Sequence, residues 1–151
     1  MKKFATIAIA ALATVFAACS CQKAADDKTV SYIYSVSFNS GSYDDIYSCY
    51  NVKVKVSVPG CSDETMSVSK GFTFSKTTTT KGTVVAEVSA EPKSSMDDNT
   101  TYNIYLEMSL GAAEVGSVNV SGETMFSRLK YTGAELKALG TLTNKNAKAV
   151  K

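Results

Sequence analysis

Apolar and polar residues alternate along most of this chain, and that period of two constrains the fold more than any other feature. Successive side chains of a strand point to opposite faces of a sheet, so an alternating segment predicts a strand with one buried face. Turn residues separate seven or eight such segments: 30–38, 51–58, 66–68, 72–74, 84–90, 102–110, 115–120 and 125–131. Short strands at this spacing predict an all-β protein, built as an antiparallel β-sandwich.

One segment near the carboxyl end departs from the alternation. Thr132-Gly133-Ala134-Glu135 matches a capping box. In this motif the Thr side chain accepts a hydrogen bond from the Glu backbone N–H, and the Glu side chain accepts one from the Thr backbone N–H. Leu136 and Leu139 follow at helical spacing, and Gly140 stands where a left-handed cap ends many helices. We therefore expect one short helix over 132–140, packed on one end of the β core. We expect residues 141–151 to form a flexible tail.

The predicted strand pattern resembles two known architectures. Small immunoglobulin-like sandwiches have this number of short strands, and lipocalin-like barrels have a helix after their last strand. The chain contains no tryptophan, so the Gly-x-Trp signature of the lipocalins is absent. The sandwich over 30–140 is therefore the preferred prediction, and the barrel remains the alternative.

The first 18 residues have the pattern of a secretory signal peptide. Met1-Lys2-Lys3 is basic, and the apolar stretch from Phe4 to Ala18 is shorter than the ~20 residues that span a bilayer. Phe16-Ala17-Ala18-Cys19 resembles the bacterial lipobox, although Phe16 stands where Leu is usual. The resemblance implies cleavage of residues 1–18 and lipidation of Cys19. Cys21 remains a competing lipidation site.

Residues 20–29 are small and charged without an apolar period, which predicts a tether. With Cys19, which the lipobox resemblance implies is lipidated, the lipidated tether comprises residues 19–29. Gln22, Lys23, Asp26 and Asp27 resemble the export signal of surface-displayed lipoproteins of the Bacteroides group. The resemblance implies a cell-envelope location, lipid-anchored to the outer membrane on its periplasmic or surface face. Removal of Lys2 and Lys3 lowers the 16 basic residues to 14, which equals the 14 acidic residues. A mature chain without net charge argues against a nucleic-acid partner.

Composition also restricts the chemistry. The chain has no histidine, which excludes Ser-His-Asp triads, Cys-His pairs and imidazole zinc ligands. The acidic residues lie mostly in polar loops, where a carboxyl group keeps its ordinary pKa, and a calcium site at Asp97-Asp98-Asn99 lacks the EF-hand pattern. We therefore predict no catalytic residue, no metal site and no cofactor.

Cysteine and tyrosine supply the remaining candidates. Cys49 and Cys61 flank the strand predicted over 51–58, whose ends lie ~25 Å apart, whereas a disulfide needs Cα atoms within ~7 Å. Two free thiols are therefore preferred to a disulfide. Tyr43, Tyr47 and Tyr50 cluster before that strand and are possible binding aromatics, or core residues with a surface hydroxyl.

Three functional hypotheses follow from these features. The first is a membrane-anchored envelope lipoprotein that acts as a non-enzymatic binding or structural module for another envelope protein or a surface polymer. The second is a carrier that holds a small apolar ligand in a barrel cavity. The third is a carboxylate-based hydrolase, which would need two acids facing each other across a cleft.

Overall fold

The computed structural model describes residues 29–117 and 120–151 and confirms the all-β prediction. Ten elements follow one another along the chain: β1 (Tyr32–Asn39), α1 (Ile46–Cys49), β2 (Tyr50–Ser57), β3 (Glu64–Ser67), β4 (Thr73–Thr78), β5 (Thr83–Pro92), β6 (Thr101–Glu114), β7 (Val120–Thr132), α2 (Gly133–Leu139) and β8 (Leu142–Ala149). The predicted signal peptide and the tether up to residue 28 lie outside the described residues.

The strands form two four-stranded antiparallel sheets. The first sheet has the order β4-β1-β6-β7, and the second has the order β3-β2-β5-β8. No strand pairing joins the two sheets within the described ranges, so each sheet keeps two edge strands and the structure is not closed into a barrel. The sandwich prediction is confirmed, and the barrel alternative is wrong.

The core lies between the two sheets, where the alternating patterns place it. In β2, Val52, Val54 and Val56 are buried, whereas Asn51 and Lys53 are exposed. β5 and β6 repeat this pattern with small and branched apolar residues: Val84, Ala86, Val88, Ala90, Ile104, Leu106, Met108 and Leu110. Along one side of the sandwich, Lys76 of β4 forms an ion pair with Glu64 of β3, which links the edges of the two sheets.

The turn predicted between segments 115–120 and 125–131 is not formed. β7 is one long strand that pairs with β6, and Gly122 lies opposite Ser109 in this ladder instead of at a turn. The pairing of β6 with β7 shifts register on both sides of Leu106, and Arg128 of β7 has a positive φ of 39°. β-Bulges of this kind admit extra residues into one strand.

The predicted helix is confirmed as α2. The Thr132 side chain accepts a hydrogen bond from the Glu135 N–H (3.3 Å), and the Glu135 carboxylate accepts one from the Thr132 N–H (2.7 Å). The hydrogen bonds that the Glu135 carboxylate accepts from the Thr132 N–H and from the Thr132 hydroxyl (3.0 Å) lower the pKa of Glu135. A Cβ atom at Gly133 would collide with the carbonyl oxygen of Asp97 in the loop between β5 and β6. The helix can therefore begin this close to that loop only with glycine. Leu136 is buried as expected, but Leu139 is 48% exposed.

The predicted flexible tail over 141–151 is wrong in its main part. Leu142–Ala149 forms β8, which pairs with β5 from Ala90 to Thr83 and forms an edge of the second sheet. Its inward-facing residues after Leu142 are Asn144, Asn146 and Lys148, all of them partly buried. Hydrophobic alternation does not predict this strand, because most of its inward-facing side chains are polar. Such a segment can still form a strand at the edge of a sheet, where one ladder of backbone hydrogen bonds holds it.

The two cysteines within the described ranges are free thiols, as the strand between them predicted. Cys49 ends α1 and is buried, and Cys61 follows β2 and is partly exposed. β2 extends over eight residues between them. Burial raises the pKa of the Cys49 thiol, which keeps it protonated and unreactive at neutral pH.

Candidate functional site

Cys19, the predicted lipidation site, lies outside the described residues, as does Cys21. Within the described part of the chain, no helix is long and apolar enough to span a membrane. Lipidation at Cys19 therefore stays a prediction. The functional surfaces that can be built from coordinates belong to the sandwich itself.

The three candidate tyrosines occupy different environments. Tyr50 begins β2 and is 1% exposed, and its hydroxyl donates a hydrogen bond to the Leu136 carbonyl (3.1 Å) at the end of the sandwich that α2 covers. Burial raises the pKa of Tyr50. Tyr50 is therefore a core residue whose hydroxyl connects β2 to the helix.

Tyr43 and Tyr47 are more accessible than Tyr50. The Tyr43 ring is exposed, and the guanidinium carbon of Arg128 lies 5.5 Å from its centroid, within cation–π range. Tyr47 is partly buried in α1, and its hydroxyl has no hydrogen-bond partner among the described residues. Burial raises the pKa of Tyr47. The three rings therefore do not form one exposed aromatic surface.

Tyr47 and Tyr50 line one side of a small cleft of about 310 Å³. Lys93 anchors the wall of this cleft, because its Nζ donates a hydrogen bond to the Tyr47 carbonyl oxygen (2.7 Å). Glu91 and Lys53 complete the charged lining. We name this the tyrosine cleft.

A larger and shallower cleft of about 540 Å³ lies on the outer face of the second sheet, and we name it the lysine cleft. Strand register places two rows of side chains across all four strands there: Thr65, Lys55, Glu87 and Lys145 in one row, and Ser67, Lys53, Ser89 and Thr143 in the next. All except Ser67 line the lysine cleft. Each strand contributes a side chain to each row, so this surface exists only when the second sheet is assembled.

Ion pairs organise the charges of the lysine cleft. Lys145 Nζ lies 2.5 Å from a Glu87 carboxylate oxygen, and this hydrogen bond lowers the pKa of Glu87. Lys55 Nζ lies 2.8 Å from the Asp63 carboxylate, which lowers the pKa of Asp63. Lys53 forms no ion pair with any described residue, and it lines the tyrosine cleft as well. Lys53 is therefore the lysine with its charge available at the junction of the two clefts.

The acidic loop residues have structural partners. Asp45 accepts a hydrogen bond from the Asn103 N–H (2.8 Å), and Asp98 forms an ion pair with Lys137 (2.6 Å). Asp44 pairs with Lys70, and this hydrogen bond lowers the pKa of Asp44. Among the residues described, no three Cys, Asp or Glu side chains group as metal ligands would. A proton-donating carboxyl needs a raised pKa, whereas Asp44, Asp63, Glu87 and Glu135 all shift downward.

Comparison with known protein families, curated proteins and solved structures gives no match for this chain. Its function must therefore be argued from its own residues. The features that carry this argument are the amino-terminal pattern ending at Cys19, the assembled sandwich, and the lysine and tyrosine clefts on its surface.

Proposed function

We propose that this protein is an envelope lipoprotein whose signal peptide is removed before Cys19 and whose β-sandwich is a non-enzymatic binding module held at a membrane. The observation that carries the proposal is the junction at Cys19. An apolar stretch without charge ends in Phe16-Ala17-Ala18-Cys19, and a polar segment of ten residues then leads to the sandwich. A diacylated cysteine supplies the two chains that stable anchoring requires.

The proposed tether fits the fold in length. A ten-residue chain without secondary structure would have a root-mean-square span of ~17 Å and a fully extended reach of ~35 Å. β1 begins at Tyr32, only three residues after the tether ends. A tether of this length would keep the sandwich close to the lipid surface.

For the binding surface we propose the lysine cleft. Lys55 and Lys145 of its lining form ion pairs with Asp63 and Glu87, so Lys53 supplies the positive charge that is left for a partner. The other polar lining residues offer hydroxyl and amide groups. Such a surface suits an extended, acidic partner, of which an envelope polymer that carries carboxylates or sulfates is the simplest. The carrier hypothesis is not favoured, because side chains from both sheets fill the space between them.

Replacing Cys19 with serine should abolish acylation. The full chain, expressed in a bacterium that processes lipoproteins, should give a mature protein whose intact mass contains the lipid, and Cys19→Ser should lose that mass completely. Cys21→Ser is the matched control, because it removes a thiol two residues away and should leave acylation unchanged. Loss of the lipid in the Cys21 variant alone would move the anchor to Cys21. An unmodified mass for the unsubstituted chain would refute the proposal.

Reversing the charge of Lys53 should weaken binding to an acidic polymer. A contact between unit charges ~4 Å apart contributes ~1 kcal/mol in a water-like dielectric, and Lys53→Glu replaces an attraction by a repulsion. The sum, ~2 kcal/mol, corresponds to about a thirtyfold loss of affinity for dextran sulfate, measured by titration with the full mature protein. Lys130→Glu makes the same change of net charge on an exposed position of β7, in the other sheet. Equal losses for the two variants would show that the lysine cleft is not the binding surface.

A further inference from the structure

The end of the sandwich where the tether enters has a distinct surface, and we name it the tether end. It contains the start of β1, the loop between β4 and β5, the turn after β6, and the end of β8. Three hydrogen bonds hold these segments together: the Val115 N–H to the Ser31 carbonyl (2.8 Å), the Tyr34 hydroxyl to the Thr80 carbonyl (2.9 Å), and the Val150 N–H to the Gly82 carbonyl (3.0 Å). The tether end is therefore an ordered part of the fold.

Apolar side chains are exposed at one corner of the tether end. Val30 is 40% exposed, Ile33 is 39% exposed and Val115 is 56% exposed. Val30 and Val115 line a common hollow of about 370 Å³, and Ile33 lies opposite Ala113, two residues before Val115 in the neighbouring strand. Apolar side chains of this size that face solvent lower their free energy when they enter an apolar medium.

Two lysines lie at the same end of the sandwich as this apolar corner. Lys81 in the loop between β4 and β5 and Lys151 at the carboxyl end form no ion pair with any residue of the described ranges. The nearby acids Asp63 and Glu64 are neutralised by Lys55 and Lys76. Glu114 is the exposed acid that lies within the hollow itself. The tether end therefore combines exposed valine and isoleucine with unpaired positive charge.

We infer that the tether end docks on the anionic lipid surface that carries the lipid of Cys19. The inference rests on the proposed function, because the tether that starts at Cys19 leads to this end of the sandwich. A span of ~17 Å keeps the tether end near the headgroups, so weak contacts suffice for docking. Val30, Ile33 and Val115 enter the interface between headgroups and acyl chains, and the lysines contact acidic headgroups. Docking turns α2, at the opposite end of the sandwich, away from the membrane.

Tryptophan fluorescence can test this orientation directly, because the chain contains no tryptophan. Val115→Trp places a single fluorophore at the tether end. The matched control is Leu139→Trp, which makes a similar exchange at an exposed apolar position of α2. Both variants are prepared as full-length lipidated protein and reconstituted into vesicles of phosphatidylcholine with phosphatidylglycerol, in which part of the lipid carries bromine as a quencher.

We expect blue-shifted emission and strong quenching for Val115→Trp, and neither effect for Leu139→Trp. In vesicles of phosphatidylcholine alone, the ratio of docked to undocked domains should fall about fivefold for each lysine that contacts acidic headgroups. Equal quenching of the two variants, or quenching of neither, would overturn the docking inference. Sedimentation of the same samples separates the two proposals: protein that does not sediment with vesicles has no lipid anchor, whereas sedimenting protein with unquenched Val115→Trp is anchored but not docked.

Discussion

A chain that ends at Gly140 should fail to form a stable monomer. The shortened chain lacks β8, so β5 changes from an inner strand of the second sheet into its edge. Each backbone hydrogen bond contributes ~1 kcal/mol net, and the ladder between β5 and β8 extends over eight residue pairs. A domain of this size is stable by only about 5–15 kcal/mol. We therefore expect the shortened chain to be mostly unfolded or aggregated in size-exclusion chromatography and urea titration.

The control for this experiment is a chain that ends at Val150. It lacks only Lys151 and keeps the hydrogen bond from the Val150 N–H to the Gly82 carbonyl. This control should unfold at nearly the same urea concentration as the full chain. A cooperative unfolding transition of unchanged midpoint in the chain that ends at Gly140 would show that residues 141–151 are not a strand.

Leu136→Ala should destabilise the fold strongly, and Leu139→Ala should not. Leu136 is fully buried, and removal of a buried leucine side chain costs about 2–5 kcal/mol because a cavity remains. Leu139 lies on the same short helix but is about half exposed, and surface truncations usually change stability by less than ~0.5 kcal/mol. Both changes replace leucine by alanine, so they alter helix propensity equally.

Urea denaturation of the two variants measures this difference. The variants should have similar dependence of the unfolding free energy on urea and clearly different midpoints. Equal destabilisation would mean that Leu139 packs against the core as well. Destabilisation of neither variant would mean that α2 does not cover the end of the sandwich.

Local patterns predicted those parts of the fold that depend on neighbours along the chain. Alternation placed Val52, Val54 and Val56 inside because the period of a strand is a local property. The capping box placed the start of α2 because its two hydrogen bonds join residues only three apart. The straight strand between Cys49 and Cys61 correctly favoured free thiols for the same reason.

Local sequence patterns do not predict features of the fold that depend on residues far apart in the sequence. β8 is held by β5 and carries little apolar pattern of its own, so residues 141–151 were predicted as a tail. Gly122 favours a turn between segments 115–120 and 125–131 because glycine often interrupts a strand, whereas pairing with Ser109 continues β7 through it. Leu139 follows Leu136 at helical spacing, but it is the last residue of α2 and remains about half exposed.

The candidate surfaces show the same division. Cys19 was predicted from four consecutive residues. The lysine cleft was missed, because its rows bring together residues as far apart as Lys55 and Lys145 and depend on the register of four strands. Tyr50 was grouped with Tyr43 by sequence proximity, but the first residue of β2 points under α2. A lone charge such as Lys53 becomes noticeable only after its neighbours are known to be paired.

The position of β1 has a mechanical consequence. β1 follows the amino-terminal segment directly and lies inside the first sheet, with β4 on one side and β6 on the other. A pulling force on the amino terminus that is opposed at the far end of the sandwich acts along the axis of β1. This force loads the hydrogen bonds of both ladders of β1 at the same time, in shear. A force on an edge strand would instead break the hydrogen bonds of one ladder one after another. An anchored domain with this topology resists extension at the point where the tension enters the fold.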